Sequence, residues 1–520
     1  MNSNTHKSFG MPARCVLPFI LGIFIAWHYS QILSTNIFIY AICASMLCIL
    51  IANRHTVVSS FFVYVMTSAI GAFLMSIQIK GMKWDNTNEY AKYEAIITNN
   101  PEVHGRTWHL DAVVTKLNGK KLSPFKTKIT VLYPTDIFPF TLGDGIECIS
   151  ILKAPQNRRP TKFDYARYLK VQGFKAETFV YSDNIVKKAI KSEDIPLATR
   201  IEIKTKKLRA KLISIYSSNN ISDDNLAVLS ALTLGEKSML TKEIKNNYSI
   251  AGASHILALS GLHLGIIYSL LTLLLWRKNK LWWWKTTVRI ILASTIWGYV
   301  ILVGMPVSAI RSALMLSICL FVEIINRNNN SVNTLLTAAF LLLAFNPLSI
   351  FDVGFQMSFI AVLFIILFST PLYKFAFSKL AEKSYILKTL FKISATSIVA
   401  QMGVLPLTMH YFGSIPCYFL LSNFIMIPLA TVLLYASIAM LATSAFPFIQ
   451  TNIATAIDNI VQIMNTSVKA ISQIPGANIN GITINGIQTI CIYIIIFAAI
   501  LAIKTIVMPH RIQPFNIPYS

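Results

Sequence analysis

Residues 250–276 read IAGASHILALSGLHLGIIYSLLTLLLW, with no Asp, Glu, Lys or Arg. A bilayer needs about 20 apolar residues to be crossed by a helix, so this stretch is long enough. It is not a plain apolar anchor, because it carries Ser254, His255, Ser260 and His263 together with Gly252, Gly261 and Gly265. Read as one continuous helix at 100° per residue, Ser254, Ala258, Gly261, Gly265, Tyr268 and Thr272 share a narrow face. His255, Ser260 and His263 occupy another arc. Small residues let helices approach closely, and polar groups at apolar depth need partners or water. The expectation is a helix in the middle of a bundle. Its polar residues either line a path or are satisfied packing residues.

Working outward, the composition agrees. The chain has 520 residues, 54% hydrophobic and 13% charged, whereas soluble domains are about a quarter charged. The expected fold class is a polytopic α-helical membrane protein of about 11 spans with an inserted small β-barrel (OB-like) extracytoplasmic domain. Apolar runs lie at 15–33, 36–52 and 57–79, and again at 251–275, 287–304, 308–325, 331–345, 355–372, 393–409, 417–445 and 486–507. The run at 417–445, interrupted by Pro428, reads as one tilted span or a re-entrant pair. Residues 450–473 read as amphipathic and interfacial. The expected units are 1–85 (three spans), 86–185 (the β domain), 186–249 (basic amphipathic linker helices) and 250–510 (the main membrane region).

Lys7, Arg14 and Arg54 flank the first runs. Arg277–Lys285, Arg289, Arg327, Lys374, Lys379, Lys383, Lys388 and Lys392 mark later loops. The Lys/Arg excess of cytoplasmic loops then places the N-terminus in the cytoplasm and residues 86–185 outside. The seven cysteines form no CxxC and no disulfide framework.

Residues 86–185 alternate in the manner of strands at 93–98, 107–117, 126–133, 145–152 and 174–181, with turn signals at Asn118-Gly119 and Gly143-Asp144-Gly145. A short helix, FDYARYLKVQG, precedes the last strand. In an OB barrel the helix usually follows the third strand. Over 92–185 there are 14 Lys/Arg against nine Asp/Glu. Lys116, Lys120, Lys121, Lys126 and Lys128 lie among Trp108 and Phe125, a combination that suits single-stranded nucleic acid. It equally suits a solvated basic domain with aromatics in its core. Residues 186–217 carry nine Lys/Arg against three acids, which fits a surface helix, one on a membrane, or one that funnels phosphates.

Polar groups recur at apolar depth: Arg311 in VGMPVSAIRSALM, Asp352 and Gln356 in NPLSIFDVGFQMSFIAVL, and Gln401 and His410 in AQMGVLPLTMHYFG, read as a helix broken at Pro406. Asp352 is placed to cap its helix, and Arg311 to snorkel or to serve function.

These motifs, with GASHILALSGLHLGII, LLSNFIMIPLA and NRRPTKFDYARYLKVQGF, resemble the ComEC competence-channel family over residues 15–445. The resemblance implies an inner-membrane channel in bacteria that passes single-stranded transforming DNA into the cytoplasm. Its implied partners are single-stranded DNA, membrane lipid, a DNA receptor outside, an ATP-driven translocase in the cytoplasm and a separate nuclease. Many members end in a metallo-β-lactamase-like domain. This sequence shows no HxHxDH cluster and no GxxxxGK[ST], so no catalytic role, metal or cofactor is expected. Two other readings compete. One is a transporter of lipid or another small anion. The other is an intramembrane serine hydrolase built on Ser260-Gly261, whose motif would need glycine where Ala258 stands.

Overall fold

Each apolar run but that at 251–275 becomes one helix, and the breaks fall at capping residues and turns. The computed structural model describes residues 11–507 except 31, 53–54, 86–88, 134–137, 158–163, 276–281, 326–329 and 378–383. Lys7, Arg54, Trp276, Arg277, Lys278, Lys280, Arg327, Lys379, Lys383 and the segment RRPTKF lie outside the described residues.

Helices α1 (Met11–His28), α2 (Thr35–Ile51) and α3 (Thr56–Met82) come first. α1 and α3 cross closely at two glycines. A Cβ on Gly22 would lie 1.8 Å from the Ser68 carbonyl oxygen, and one on Gly71 would lie 2.3 Å from that of Phe19. Any larger residue would therefore push the two helices apart.

The chain then forms β1 (Ala91–Ile97), β2 (Glu102–His104), β3 (Thr107–Leu117), β4 (Lys120–Leu132), β5 (Gly145–Ser150), α4 (Tyr165–Val171), β6 (Phe174–Tyr181) and β7 (Ile185–Lys187). The strand order is β6-β4-β3-β1-β5-β7, with β2 on β3. All pairs are antiparallel except β4 with β6. Asn118 and Gly119, both at positive φ (48° and 77°), make the two-residue turn between β3 and β4, the geometry that matches strand twist. Inward-facing Tyr93, Ile97, Leu110, Ile129, Ile146 and Val180 fill the core.

Helix α5 (Leu197–Ser217) joins the two regions. Its apolar side lies on protein: Ile203 packs with Ile96, Val113 and Leu142, and Lys206 donates to the Thr98 carbonyl at 2.6 Å. Further along, buried Arg209 donates to the Leu302 carbonyl from Nε and Nη2, both at 3.3 Å.

The remaining helices are α6 (Asp223–Leu234), α7 (Lys242–Ile250), α8 (Ser254–Leu257), α9 (Gly261–Leu275), α10 (Trp282–Leu302), α11 (Val307–Ile324), α12 (Ser331–Phe345), α13 (Val353–Leu372), α14 (Tyr385–Phe412), α15 (Phe419–Ala442), α16 (Pro447–Gln473) and α17 (Gly486–Val507). Among the described residues, six helices are long and apolar enough to cross a membrane: α3, α10, α11, α13, α14 and α15. Shorter apolar helices lie at Arg14–His28, Thr35–Ile51, Gly261–Leu275, Ser331–Phe345 and Gly486–Ile500.

Several expectations change. α14 continues through Pro406 and does not break there. The Tyr493 hydroxyl donates to the Gly403 carbonyl at 2.8 Å, so a neighbouring helix supplies a hydrogen bond beside the proline. Residues 419–442 form one helix through Pro428, not a re-entrant pair. α16 does not turn its apolar face to an interface. Ala454, Ile457, Val461, Met464 and Val468 are buried in one core with Met426, Leu433 and Met440 of α15. A seam of side-chain hydrogen bonds ties α16 to α6 and α7. Asn225 donates to Asp458 Oδ1 at 2.8 Å and accepts from Asn465 at 2.9 Å, and the Tyr248 hydroxyl donates to Asn465 at 3.0 Å. Strands β8 (Ser414–Pro416) and β9 (Asn478–Asn480), on either side of this hairpin, pair antiparallel.

Candidate functional site

The opening stretch is not one helix. It ends α7 at Ile250, turns at Gly252 (φ 76°), makes the single turn of α8, unwinds over Ala258–Ser260 and begins α9 at Gly261. The shared face expected of Ser254, Gly261 and Gly265 therefore does not exist. The break has named supports. The Ser308 hydroxyl donates to the Leu259 carbonyl at 2.5 Å, and the Ser422 hydroxyl donates to the Ala251 carbonyl at 2.6 Å. Gly261 faces α11 so closely that a Cβ there would lie 2.9 Å from Ser312 Oγ.

His263 is fully buried, and its Nδ1 accepts the Ser260 backbone N–H at 3.3 Å. The Ser260 hydroxyl lies 3.2 Å from the same nitrogen. That is the reach of a serine and its base, but Nε2 has no partner among the described residues, so the third group that would orient such a base is missing. The ring instead closes the open start of α9. Ser254 and His255 are exposed, and His255 Nδ1 meets the Gly252 carbonyl at 3.1 Å.

Arg311 sits in the first turns of α11 and is buried, at 2% exposure. Nη1 reaches the Gly354 carbonyl at 3.5 Å, and the guanidinium lies 5.3 Å from the centre of the Phe359 ring. It does not snorkel to water. Asp352 caps α13, accepting the Phe355 N–H at 2.7 Å. Gln356 donates to the Ile350 carbonyl at 2.8 Å and accepts from the Tyr411 hydroxyl at 2.9 Å. Three helix starts (α9, α11 and α13) thus meet in one polar layer holding Ser254, His255, Ser260, Gly261, His263, Arg311, Asp352 and Gln356. The unpaired N–H groups and positive dipole ends of such starts favour anions.

The other expected residues lie apart. Gly265 is a turn deeper, with nothing within 4 Å of where a Cβ would stand. Gln401 is mid-helix in α14, its Nε2 buried without a partner among the described residues. His410 meets the Ile484 carbonyl at 3.1 Å. Arg167 of the β domain was not singled out by sequence. Its guanidinium lies 5.9 Å from Trp27 and 5.7 Å from Phe351, and it pairs with Asp164 at 3.1 Å. It fastens α4 to the end of the bundle that carries the polar layer. Its only sequence signal was its place three residues after a helix-capping aspartate.

In the β domain four of the five lysines are engaged. Lys116 pairs with Glu94 (3.3 Å) and Asp194 (3.2 Å), Lys121 with Asp194 (2.8 Å), Lys126 with Glu202 (3.7 Å) and Lys128 with Asp111 (3.6 Å). Lys120 makes no ion pair with a described residue. Trp108 stacks on Phe138 with centroids 5.0 Å apart, and Phe125 packs on Trp84 at 5.0 Å. These two aromatics therefore serve the core and its rim. Lys188, followed by Lys116, holds the Glu94 carboxyl below its ordinary range. Lys188 and Lys92 do the same for Glu147, and Lys121 and Lys116 for Asp194. Burial pushes the Cys148 thiol up to about 12, and all seven cysteines are free. Among the described residues no three His, Cys, Asp or Glu side chains are grouped to hold a metal.

Comparisons with known proteins agree on one family. Residues 232–505, more than half of the chain, match the family described as Competence protein. The chain is 24% identical over 396 residues to ComE operon protein 3 of Bacillus subtilis (strain 168), covering 74% of this chain and 46% of that protein. It thus spans about half the length of the curated relative it matches. No solved structure matches. The polar layer lies within the matched residues and on the motifs that first suggested the resemblance, and the chain belongs to the ComEC-type competence protein family.

Proposed function

We propose that this chain is the membrane channel of a DNA-uptake machine and passes single-stranded DNA inward during natural competence. The observation that carries the reading is the meeting of three helix starts around buried Arg311. DNA is a polyanion and cannot cross hydrocarbon, so its path needs water, donors and some positive charge. The layer offers N–H groups, hydroxyls and imidazoles with one fixed guanidinium, whose planar fork suits phosphate oxygens. Sparse charge also suits conduction, which requires binding weak enough to release. Gly265, Gln401 and His410 extend the proposed path.

In this reading the bundle spans the bacterial inner membrane about 11 times. The N-terminus is cytoplasmic and the β domain lies outside. The β domain is an OB-type barrel, supported by the closing parallel pair β4/β6, with its helix displaced to precede the last strand. In this reading the chain works with a DNA receptor on the outer side, an ATP-driven translocase in the cytoplasm and a strand-degrading nuclease.

The test is transformation. A deletion strain complemented with His263→Leu or Arg311→Ala is scored for uptake of labelled DNA into the cytoplasm, with insertion checked by membrane fractionation. Both variants are expected to insert and to lose uptake. Full uptake by both would place the path elsewhere. A cysteine at Asn118 is expected to react with a membrane-impermeant thiol reagent in cells whose outer barrier has been opened. Labelling only after lysis would reverse the topology.

A further inference from the structure

We infer that the β domain receives a base of the strand in a cleft between β5 and β6, on a different surface from its lysine-rich strands. β6 pairs with β4 along one edge. Across its other edge its backbone pairs with the chain after β5 at an isolated bridge, where the Lys153 N–H donates to the Glu177 carbonyl at 2.9 Å and the Glu177 N–H to the Lys153 carbonyl at 2.8 Å. Beyond that bridge the strands part and leave a cleft of about 250 Å³, just under the ~300 Å³ at which small-molecule sites begin.

Its lining is unusual for the face of a soluble domain. Tyr90, Phe179 and Tyr181 border it and are 69%, 40% and 56% exposed. Phe179 and Tyr181 alternate outward along β6, with ring centres 5.3 Å apart. Trp108, Phe125, Tyr133 and Phe138, elsewhere in the domain, pack against its core. Large rings left in water beside a cleft are a stacking platform in search of a flat partner.

The polar groups select the kind of partner. Ser150 and Thr178 hydroxyls share a 2.7 Å hydrogen bond in the cleft wall, and Thr178 also donates to the Ile151 carbonyl at 2.9 Å. Glu177 lines the cleft at 8% exposure, while Lys153 is exposed and makes no ion pair with a described residue. A carboxylate repels a phosphate but accepts from the ring N–H of thymine or the amino group of another base. Acid within and an ammonium outside fit a base turned in with its phosphate turned out. A lipid headgroup would carry its phosphate the wrong way.

The inference rests on the proposal that this chain handles single-stranded DNA, and its test separates the two. The full chain in lipid nanodiscs is titrated with a labelled oligothymidine. The same strand carrying 5-iododeoxyuridine is photocrosslinked and the modified peptides are identified. The double variant Phe179→Ala/Tyr181→Ala is expected to bind about tenfold or more weakly, and the crosslinked peptide to contain β6. Unchanged affinity, or crosslinks confined to β3 and β4, would overturn the cleft. So would a Tyr181→Trp reporter quenched by brominated lipid and indifferent to the oligonucleotide, since these rings would then be membrane anchors. If the double variant binds and takes up DNA normally while the deletion strain does not, the cleft alone fails. A deletion strain that takes up DNA normally removes the channel reading itself.

Discussion

The β domain and the helical bundle use charge in opposite ways. The domain spreads many charges over its surface and pairs them: Lys188 bridges Glu94 (2.8 Å) and Glu147, and Lys92 reaches Glu147 at 2.6 Å. Surface pairs of this kind contribute about 0–1 kcal/mol each and are screened by salt. In the bundle, Arg311 is almost wholly buried, with a carbonyl, a ring face and helix starts around it and the Asp352 carboxylate near enough to act on its charge. Removing a group whose surroundings are built around its charge costs far more than removing one of many in water. A large count of basic residues is thus a poor guide to where a polyanion is handled. A charge buried at apolar depth is a better one.

The sharpest way to break this contrast is Arg311→Ala. A charge-assisted hydrogen bond contributes about 1.5–3 kcal/mol, so uptake is expected to fall at least about tenfold. Arg311→Lys should recover only part, because an ammonium lacks the fork. Uptake unaltered by either change would make Arg311 a packing residue.

Next in size is the seam between α6 and α16. Asn225→Leu removes a donor from Asp458 and an acceptor from Asn465. The expected loss is about 1–3 kcal/mol for each polar group left unsatisfied, read as a lower unfolding midpoint in detergent. An unchanged midpoint would mean that apolar packing alone holds α16.

Acid should act on the β domain's paired carboxylates. Glu94, Glu147 and Asp194 titrate below their ordinary values of 4.5, 4.5 and 3.8. Because the folded chain holds these protons less tightly, their contribution is complete above the ordinary values and is lost as pH falls through the lowered ones. The domain's melting midpoint should be flat from neutral pH to about 5 and fall below 4.5 and 3.8. A fall beginning near neutrality would point to a different group.

The smallest effect belongs to Lys121→Ala. Its ammonium is 63% exposed and shares Asp194 with Lys116, so stability should change by less than about 1 kcal/mol. A larger loss would mean that the pairs act as one network.

How much of this was legible follows the same division. Strand alternation and Asn118-Gly119 announced the hairpin because period and turn are local. Apolar runs announced the helices for the same reason. The unwinding at Ala258–Ser260 was not legible. A wheel assumes continuity, and the break is held by Ser308 and Ser422 from distant helices. Pro406 misled in the other direction, because the hydrogen bond from Tyr493 beside it comes from 90 residues away. Lysines at 116–128 read as free cations because their partners are brought to them by the fold: Glu94 and Asp111 on neighbouring strands, Asp194 just before α5 and Glu202 within it. The layer around Arg311 needed three helices brought together, which no single window of sequence contains.

The pairing of β8 with β9 brings the two ends of the α15–α16 hairpin together. α15 leaves one end of the bundle and α16 returns to it, so whatever α15 traverses, α16 undoes. α17 therefore sets out beside the end at which α14 arrived. Hydropathy sees only half of this excursion, because α16 carries Asn452, Asn459, Gln462, Thr466 and Lys469 along its uncovered side. A count of apolar segments therefore passes over α16, while the two three-residue strands show that the excursion closes on itself.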